Sequence, residues 1–248
     1  ETKKVHIDTL NIRIPLNISQ FIRSKLHSKF IKCNETIQKQ FQRINIIDPS
    51  KQSLNVKFQA KAANLLLTVT KALNFINVPF WLSSGTCLGW YRQCELFENS
   101  KDVDIGVFIK DFKPLVIQAL QMEGLTLALS LGKVKPTDGY ELVFYNDKVK
   151  LDVFFFYEED DCMWNGGTDV NTGTKYKYIF NKFTLCWTIF MNMFLRVPCE
   201  TNTYIQNNYG TDWIRLVNEW DWKRSPSNVI EAGKWPKDEW NQVMIKYI

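Results

Sequence analysis

Histidine is nearly absent from this 248-residue chain: His6 and His27 are the only two, and both lie near the N-terminus. The main body therefore has no Ser-His-Asp triad, Cys-His pair or histidine-rich zinc site, and any chemistry there must use carboxylates, lysine, tyrosine or a metal held by oxygen. The six cysteines (Cys33, Cys87, Cys94, Cys162, Cys186, Cys199) contain no CxxC pair, which argues against a zinc ribbon; their even number permits disulfides without assigning them. Long apolar runs are also missing. The longest, Leu185 to Leu195, is broken by Thr188 and Asn192 and falls short of the roughly 20 residues a bilayer span needs. The start lacks the basic-then-apolar pattern of a signal peptide, as expected of a processed chain or a fragment. No block of one charge sign exists: the net +5 is spread along the chain, which gives no support to a nucleic-acid stripe or a polybasic membrane patch. There is no internal repeat and no low-complexity tract.

What is present suits a globular domain, with 45% hydrophobic residues. Residues 1–56 are rich in Lys, Asn and Gln and read as a stem or accessory segment, with a helix expected around Ser19 to Phe41. They carry two N-glycosylation sequons, at Asn17 and Asn34, which matter only in a secretory lumen. Residues 57–248 read as the main domain. Phe58, Ala62, Leu65, Leu66, Val69, Leu73 and Ile76 recur at helical spacing and predict an amphipathic core helix that stops before Pro79. Pro79 to Ser83 reads as a short buried strand running into a Ser84-Gly85-Thr86 turn and a short helix. Val103, Ile105 and Val107 alternate with Asp102, Asp104 and Gly106, so a strand there carries two carboxylates on one face. Asp111 is expected to cap a helix to about Met122, ended by Gly124. Glu141 to Phe144 and Val149 to Tyr157 read as paired strands around a turn at Asn146-Asp147. The last third reads as aromatic and loop-rich, with helical candidates near Thr201 to Tyr209 and Lys237 to Tyr247.

Three features point to chemistry. A small-residue turn follows a strand, an Asp102-Val103-Asp104 pair sits on the next strand, and Asp152 interrupts the apolar run Leu151 to Phe156. An unpartnered carboxylate in such a run is costly to bury, so Asp152 needs a counter-charge. A magnesium or manganese ion shared by Asp102, Asp104 and Asp152 supplies it and can also engage the phosphates of a nucleotide donor. A lone DxD is weak, and Asp152 alone could be an ion-paired core residue. The ordered combination matches the nucleotidyltransferase arrangement seen in beta-type polymerases. It predicts an α+β fold: a nucleotidyltransferase-like mixed β-sheet flanked by helices, with a loop- and aromatic-rich C-terminal part.

The runs Trp81 to Arg92, Lys101 to Gly106, Lys150 to Tyr157, Met163 to Thr168, Lys182 to Thr188, Val197 to Thr201 and Trp220 to Pro226 resemble the LicD/fukutin family, over nearly everything from Leu65 onward. Two departures stand out: Ser100-Lys101 precede the DxD where many bacterial relatives carry acids, and Glu95 to Asn99 lacks a proline. The resemblance implies a Golgi-lumen enzyme of type II membrane topology, attached only through an N-terminal anchor outside this chain. Its implied activity is transfer of ribitol 5-phosphate from CDP-ribitol onto the phosphorylated O-mannosyl glycan of alpha-dystroglycan, with other O-mannosyl glycan transferases as partners and no nucleic acid. Carried onto this chain, it implies Asp102, Asp104 and Asp152 for metal and catalysis, with Ser84, Gly85 and Arg92 near the donor phosphates.

Other candidates have a plain reading beside the functional one. Arg92 suits phosphate by its planar fork and a surface ion pair equally by position. Lys223 and Arg224 either grip an acidic acceptor or are solvated, and Trp164 either stacks on substrate as part of a lid or closes a core edge. Lys133 is equally open. Cys87 reads as a small buried residue. The rival functions are transfer of another CDP-activated group, such as choline or glycerol phosphate, and a glycan-binding scaffold without catalysis.

Overall fold

The computed structural model describes residues 2–19, 21–22, 28–45, 52–97, 100–135, 137–217 and 219–247. Strands β1 (Thr2–Ile7) and β2 (Leu10–Pro15) form an antiparallel hairpin with mostly exposed side chains. The helix expected across Ser19 to Phe41 is not continuous. Ser28 to Asn34 is non-helical, and α1 (Glu35–Ile44) begins where the Asn34 Oδ1 accepts from the Thr36 N–H at 2.9 Å; residues 23–27 lie outside the described set. Asn competes with the backbone for donors, so it starts a helix more readily than it sits inside one. Residues 28–45 are tied to the body. A Cys33–Cys94 disulfide, Trp187 N–H to Lys29 O (2.8 Å), Ile31 N–H to Trp187 O (2.9 Å) and the buried Phe41 make the connection.

The apolar spacing after Lys57 produces α2 (Gln52–Phe75), which buries Ala62, Leu65, Leu66, Val69 and Leu73. β3 (Trp81–Leu82) leads directly into α3 (Ser84–Gln93), so the expected turn is the first turn of a helix. β4 (Asp102–Phe108) follows. Asp111 ends a short 3₁₀ turn, and α4 (Leu115–Met122) starts one turn later behind Pro114, whose fixed φ favours a helix start. Gly124 stops it with φ +89°.

β5 (Thr126–Lys135), β6 (Asp138–Asn146), β7 (Val149–Glu158), β8 (Cys162–Thr168) and β9 (Thr174–Asn181) form an antiparallel run, extended by β12 (Val229–Lys234) beyond β9. β10 (Leu185–Phe190) and β11 (Met193–Pro198) make a separate hairpin joined by a Cys186–Cys199 disulfide. α5 (Thr201–Tyr209), the short α6 (Trp240–Val243) and β13 (Met244–Lys246) complete the chain; β13 pairs with β5, so only the first half of the expected C-terminal helix forms. Strands thus occupy much of the last third, interleaved with aromatic loops.

β4 pairs in parallel with β7, setting Asp104 opposite Asp152 and Asp102 opposite Lys150. On its other edge β7 pairs with β6 up to Phe154 and with β8 from Phe156 onward, so the sheet curls there. Gly139 and Gly166 allow the curl, because a Cβ on Gly139 would lie 2.6 Å from the Gly166 Cα. One sheet face packs Val103, Ile105, Leu142, Phe144, Leu151 and Val153 into the core with α2 and α4. The other carries the acids. No helix among the described residues is long and apolar enough to cross a membrane.

Candidate active site

A cleft of about 910 Å³ opens over the acid-bearing face, lined among others by Ser84, Gly85, Asp102, Asp104, Glu141, Lys150 and Asp152. The register explains the convergence. Parallel pairing of β4 with β7 places the second acid of the DxD beside Asp152, and one carboxylate oxygen from each of the three aspartates lies within 4.8 Å of the others. Asp104 and Asp152 are buried, at 7% and 4% exposed, while Asp102 is half-buried at the mouth.

Asp104 is held by α3. Its Oδ2 accepts from the Thr86 N–H at 3.1 Å, and its backbone N–H donates to the Thr86 Oγ1 at 2.8 Å. Ser84 begins α3 in the left-handed region, φ +41°, a conformation held here by its surroundings. Ser83 lends this helix no side-chain cap; Asp104 takes the Thr86 N–H, and the Ser84-Gly85 end lines the cleft, where it presents the positive end of α3. Gly85 keeps the approach open: a Cβ there would stand 3.2 Å from the Asp104 Oδ2.

Lys150, to which the sequence assigns no role, supplies the cation that Asp152 needs. Its Nζ lies 2.7 Å from the Asp152 Oδ2 and 3.4 Å from the Asp102 Oδ2. Burial opposes its charge, but Asp152, Asp102 and Asp104 together outweigh burial and raise its pKa. One ammonium against three carboxylates leaves the cluster negative. Burial, then Asp102 and Asp152, hold Asp104 well above the usual carboxylate range. Burial pushes Asp152 up to about 6 although Lys150 pulls the other way, and burial with Asp152 pushes Glu141 up to about 8. The Asp152 Oδ1 is buried with no hydrogen-bond partner among the described residues. An all-oxygen set with an orphaned buried oxygen and surplus negative charge fits a divalent cation of the magnesium or manganese type.

Other expected residues sit differently. Arg92, 4% exposed, lies between the Phe41 and Phe97 rings, 4.7 and 4.6 Å from their centroids, and its Nη1 donates to the Trp213 and Arg215 carbonyls at 3.0 and 3.4 Å. It touches the cleft wall with a fork already engaged. Trp164 is on a strand, not a lid, and faces away from the acids: it pairs with Tyr157, stacks on it at 4.2 Å, and takes Lys177 over its ring. Its neighbour Asn165 faces the cleft instead. Lys223 pairs with Asp169 at 3.2 Å and Arg224 is exposed beside Asp221; both lie next to Trp222 at the rim, outside the cleft lining. Lys133 bonds Glu239, outside the cleft lining. Cys87 is buried and unpaired.

The family described as "LicD/FKTN/FKRP, nucleotidyltransferase domain" matches residues 77–200, which hold α3, β4, β7 and all three aspartates. A human protein named ribitol-5-phosphate transferase FKTN is 50% identical over 248 residues, covering 100% of this chain and 53% of its own length. The Mus musculus protein of that name is 48% identical with the same coverage. An uncharacterized Caenorhabditis elegans protein is 28% identical over 245 residues, covering 94% of this chain and 60% of itself. The chain thus spans about half the length of the curated transferases it matches.

Proposed function

The chain belongs to the LicD/FKTN/FKRP nucleotidyltransferase family, and from that premise we propose that it is the catalytic part of a metal-dependent transferase moving ribitol 5-phosphate from CDP-ribitol onto a sugar hydroxyl. The observation that carries this reading is the convergence of Asp102, Asp104 and Asp152 at the open start of α3. Identity to the ribitol-5-phosphate transferases supports the ribitol donor. The proposed acceptor is the phosphorylated O-mannosyl glycan of alpha-dystroglycan, in the Golgi lumen. The Cys33–Cys94 and Cys186–Cys199 disulfides suit an oxidising compartment.

Asp102, Asp104 and Asp152 would hold Mg2+ or Mn2+, whose charge stabilises the donor pyrophosphate and departing CMP. The chain's own groups do the rest. The backbone at Ser84-Gly85 offers the positive end of α3 to the donor phosphates. Lys150 contributes a further positive charge beside them. In the transfer, the acceptor oxygen forms a bond to the ribitol phosphorus as the bond to CMP breaks in line, and a cleft carboxylate, Asp152 in this scheme, takes the hydroxyl proton. Arg92 holds the cleft wall through the 213–215 carbonyls.

Asp152→Asn tests the scheme against CDP-ribitol, CDP-choline and CDP-glycerol. Product only with CDP-ribitol, abolished in a variant that keeps its circular dichroism spectrum, is expected. Wild-type preference for another donor would replace the ribitol assignment, and a fully active Asp152→Asn would remove that residue from the mechanism.

A further inference from the structure

One wall of the cleft has no duty in this scheme. The aspartates and α3 account for the β4 side of β7. On the opposite edge of β7, β6 sets Glu141 beside Phe154 and β8 sets Asn165 beside Phe156. Phe154 and Phe156 pair on their other side with Gly106 and Phe108, so Glu141 and Asn165 share one edge. Cross-strand partners share a face, which puts both on the cleft face about two strand positions, or roughly 7 Å, apart.

Asn165 is 4% exposed, lines the cleft, and its Oδ1 has no hydrogen-bond partner among the described residues. A buried amide oxygen left unpaired is costly, so a ligand donor is the natural partner. Glu141 also lines the cleft, and its carboxyl has no hydrogen-bond or ion-pair partner among the described residues. Tyr178 pairs with Asn165 across β9 and donates its hydroxyl to the Trp222 carbonyl at 2.9 Å, which holds the 41%-exposed Trp222 at the rim.

Neither Glu141 nor Asn165 offers a phosphate a positive charge, and the Lys150 ammonium is turned to the aspartate side of β7, 2.7 Å from the Asp152 Oδ2. A carboxyl group and an amide oxygen are instead hydrogen-bonding partners for the hydroxyls of a polyol, and an indole face suits the C–H side of a sugar ring. The cleft volume lies at the upper end for small-molecule sites, which leaves room for two substrates. We propose that Glu141, Asn165 and Trp222 form the subsite for the uncharged sugar ring that bears the accepting hydroxyl. This rests on the transferase reading above and adds the acceptor's place within the cleft.

The test measures acceptor KM with a phosphorylated O-mannosyl glycopeptide and, separately, CDP affinity by calorimetry, for wild type, Glu141→Gln, Asn165→Ala and Trp222→Ala. Trp222 lies at the exposed rim, so its variant spares the core. Expected is a rise in acceptor KM of about tenfold or more with CDP affinity held within about twofold, because each variant removes a ligand contact and none faces the phosphates. Unchanged acceptor KM in all three, or CDP affinity falling in step with it, would overturn the subsite; the latter would mark it as the nucleotide's. An inactive wild type would count against the transferase reading alone. Saturation-transfer NMR of the glycopeptide then decides the subsite, supported by signal lost in the variants and overturned by signal retained.

Discussion

Arg92→Lys separates two accounts of one residue. As a phosphate ligand, Arg92 should matter to donor affinity and little to stability. In the structure its guanidinium is clamped between Phe41 of α1 and Phe97, and its Nη1 holds two carbonyls of the 213–215 segment. Lysine can reach one of those carbonyls but cannot offer the flat fork or fill the gap between two rings. Losing one charge-assisted hydrogen bond and most of two cation–π contacts should cost about 3 kcal/mol. For a chain of this size that is a fall in Tm of about 6–12 °C. Differential scanning calorimetry at neutral pH reads it directly, with donor KM taken below the variant's transition. A variant as stable as wild type, with only donor KM raised, would refute the structural role and restore the phosphate one.

Three further outcomes are expected. Lys150→Met leaves Asp152 and Asp102 without their ammonium, so the metal-free protein should lose about 2 kcal/mol or more while terbium binding, read by luminescence, tightens; weaker terbium binding would contradict the view of Lys150 as a resident counter-charge. Gly106→Ala would put a Cβ 2.3 Å from the Trp81 indole at the centre of the core and should cost about 3 kcal/mol or prevent folding; a neutral effect would mean the Trp81 placement is wrong. Stability without divalent cations should fall as pH rises. Glu141 and Asp152 are held up to about 8 and about 6, so the folded state binds more protons than the unfolded one between roughly pH 4 and 8 and loses that advantage as pH passes each value. Glu141→Gln should flatten the upper part of this slope in urea titrations, and a slope unchanged by that variant would show that Glu141 does not titrate as described.

Much of the site was legible before the fold. Period-two alternation placed Asp102 and Asp104 on one face, and the cost of a lone carboxylate in an apolar strand singled out Asp152. Helical spacing found α2. What was not legible depends on long-range geometry. Nothing local indicates that Lys150 turns its ammonium back between two aspartates, or that β7 exchanges β6 for β8 at Phe155. That exchange brings Glu141 and Asn165 together. For Trp164 a lid and a core edge stood open side by side, and neither reading showed the strand, or with it the alternation that sends Trp164 to the reverse face and Asn165 to the cleft. Arg92 looked available because its partners come from residues 41, 97 and 213–215, far apart in sequence. The cysteine count allowed disulfides, but only the fold pairs Cys33 with Cys94 and Cys186 with Cys199.

The most direct test of the central claim is product mass after incubation of the purified chain with CDP-ribitol, Mg2+ or Mn2+ and a phosphorylated O-mannosyl glycopeptide, with Asp104→Asn alongside. The account predicts a metal-dependent gain of one ribitol phosphate by wild type and none by the variant. A gain that persists in Asp104→Asn or in excess chelator would contradict the acid-cluster mechanism, and no gain by folded wild type with any CDP-activated donor would contradict the transferase reading itself.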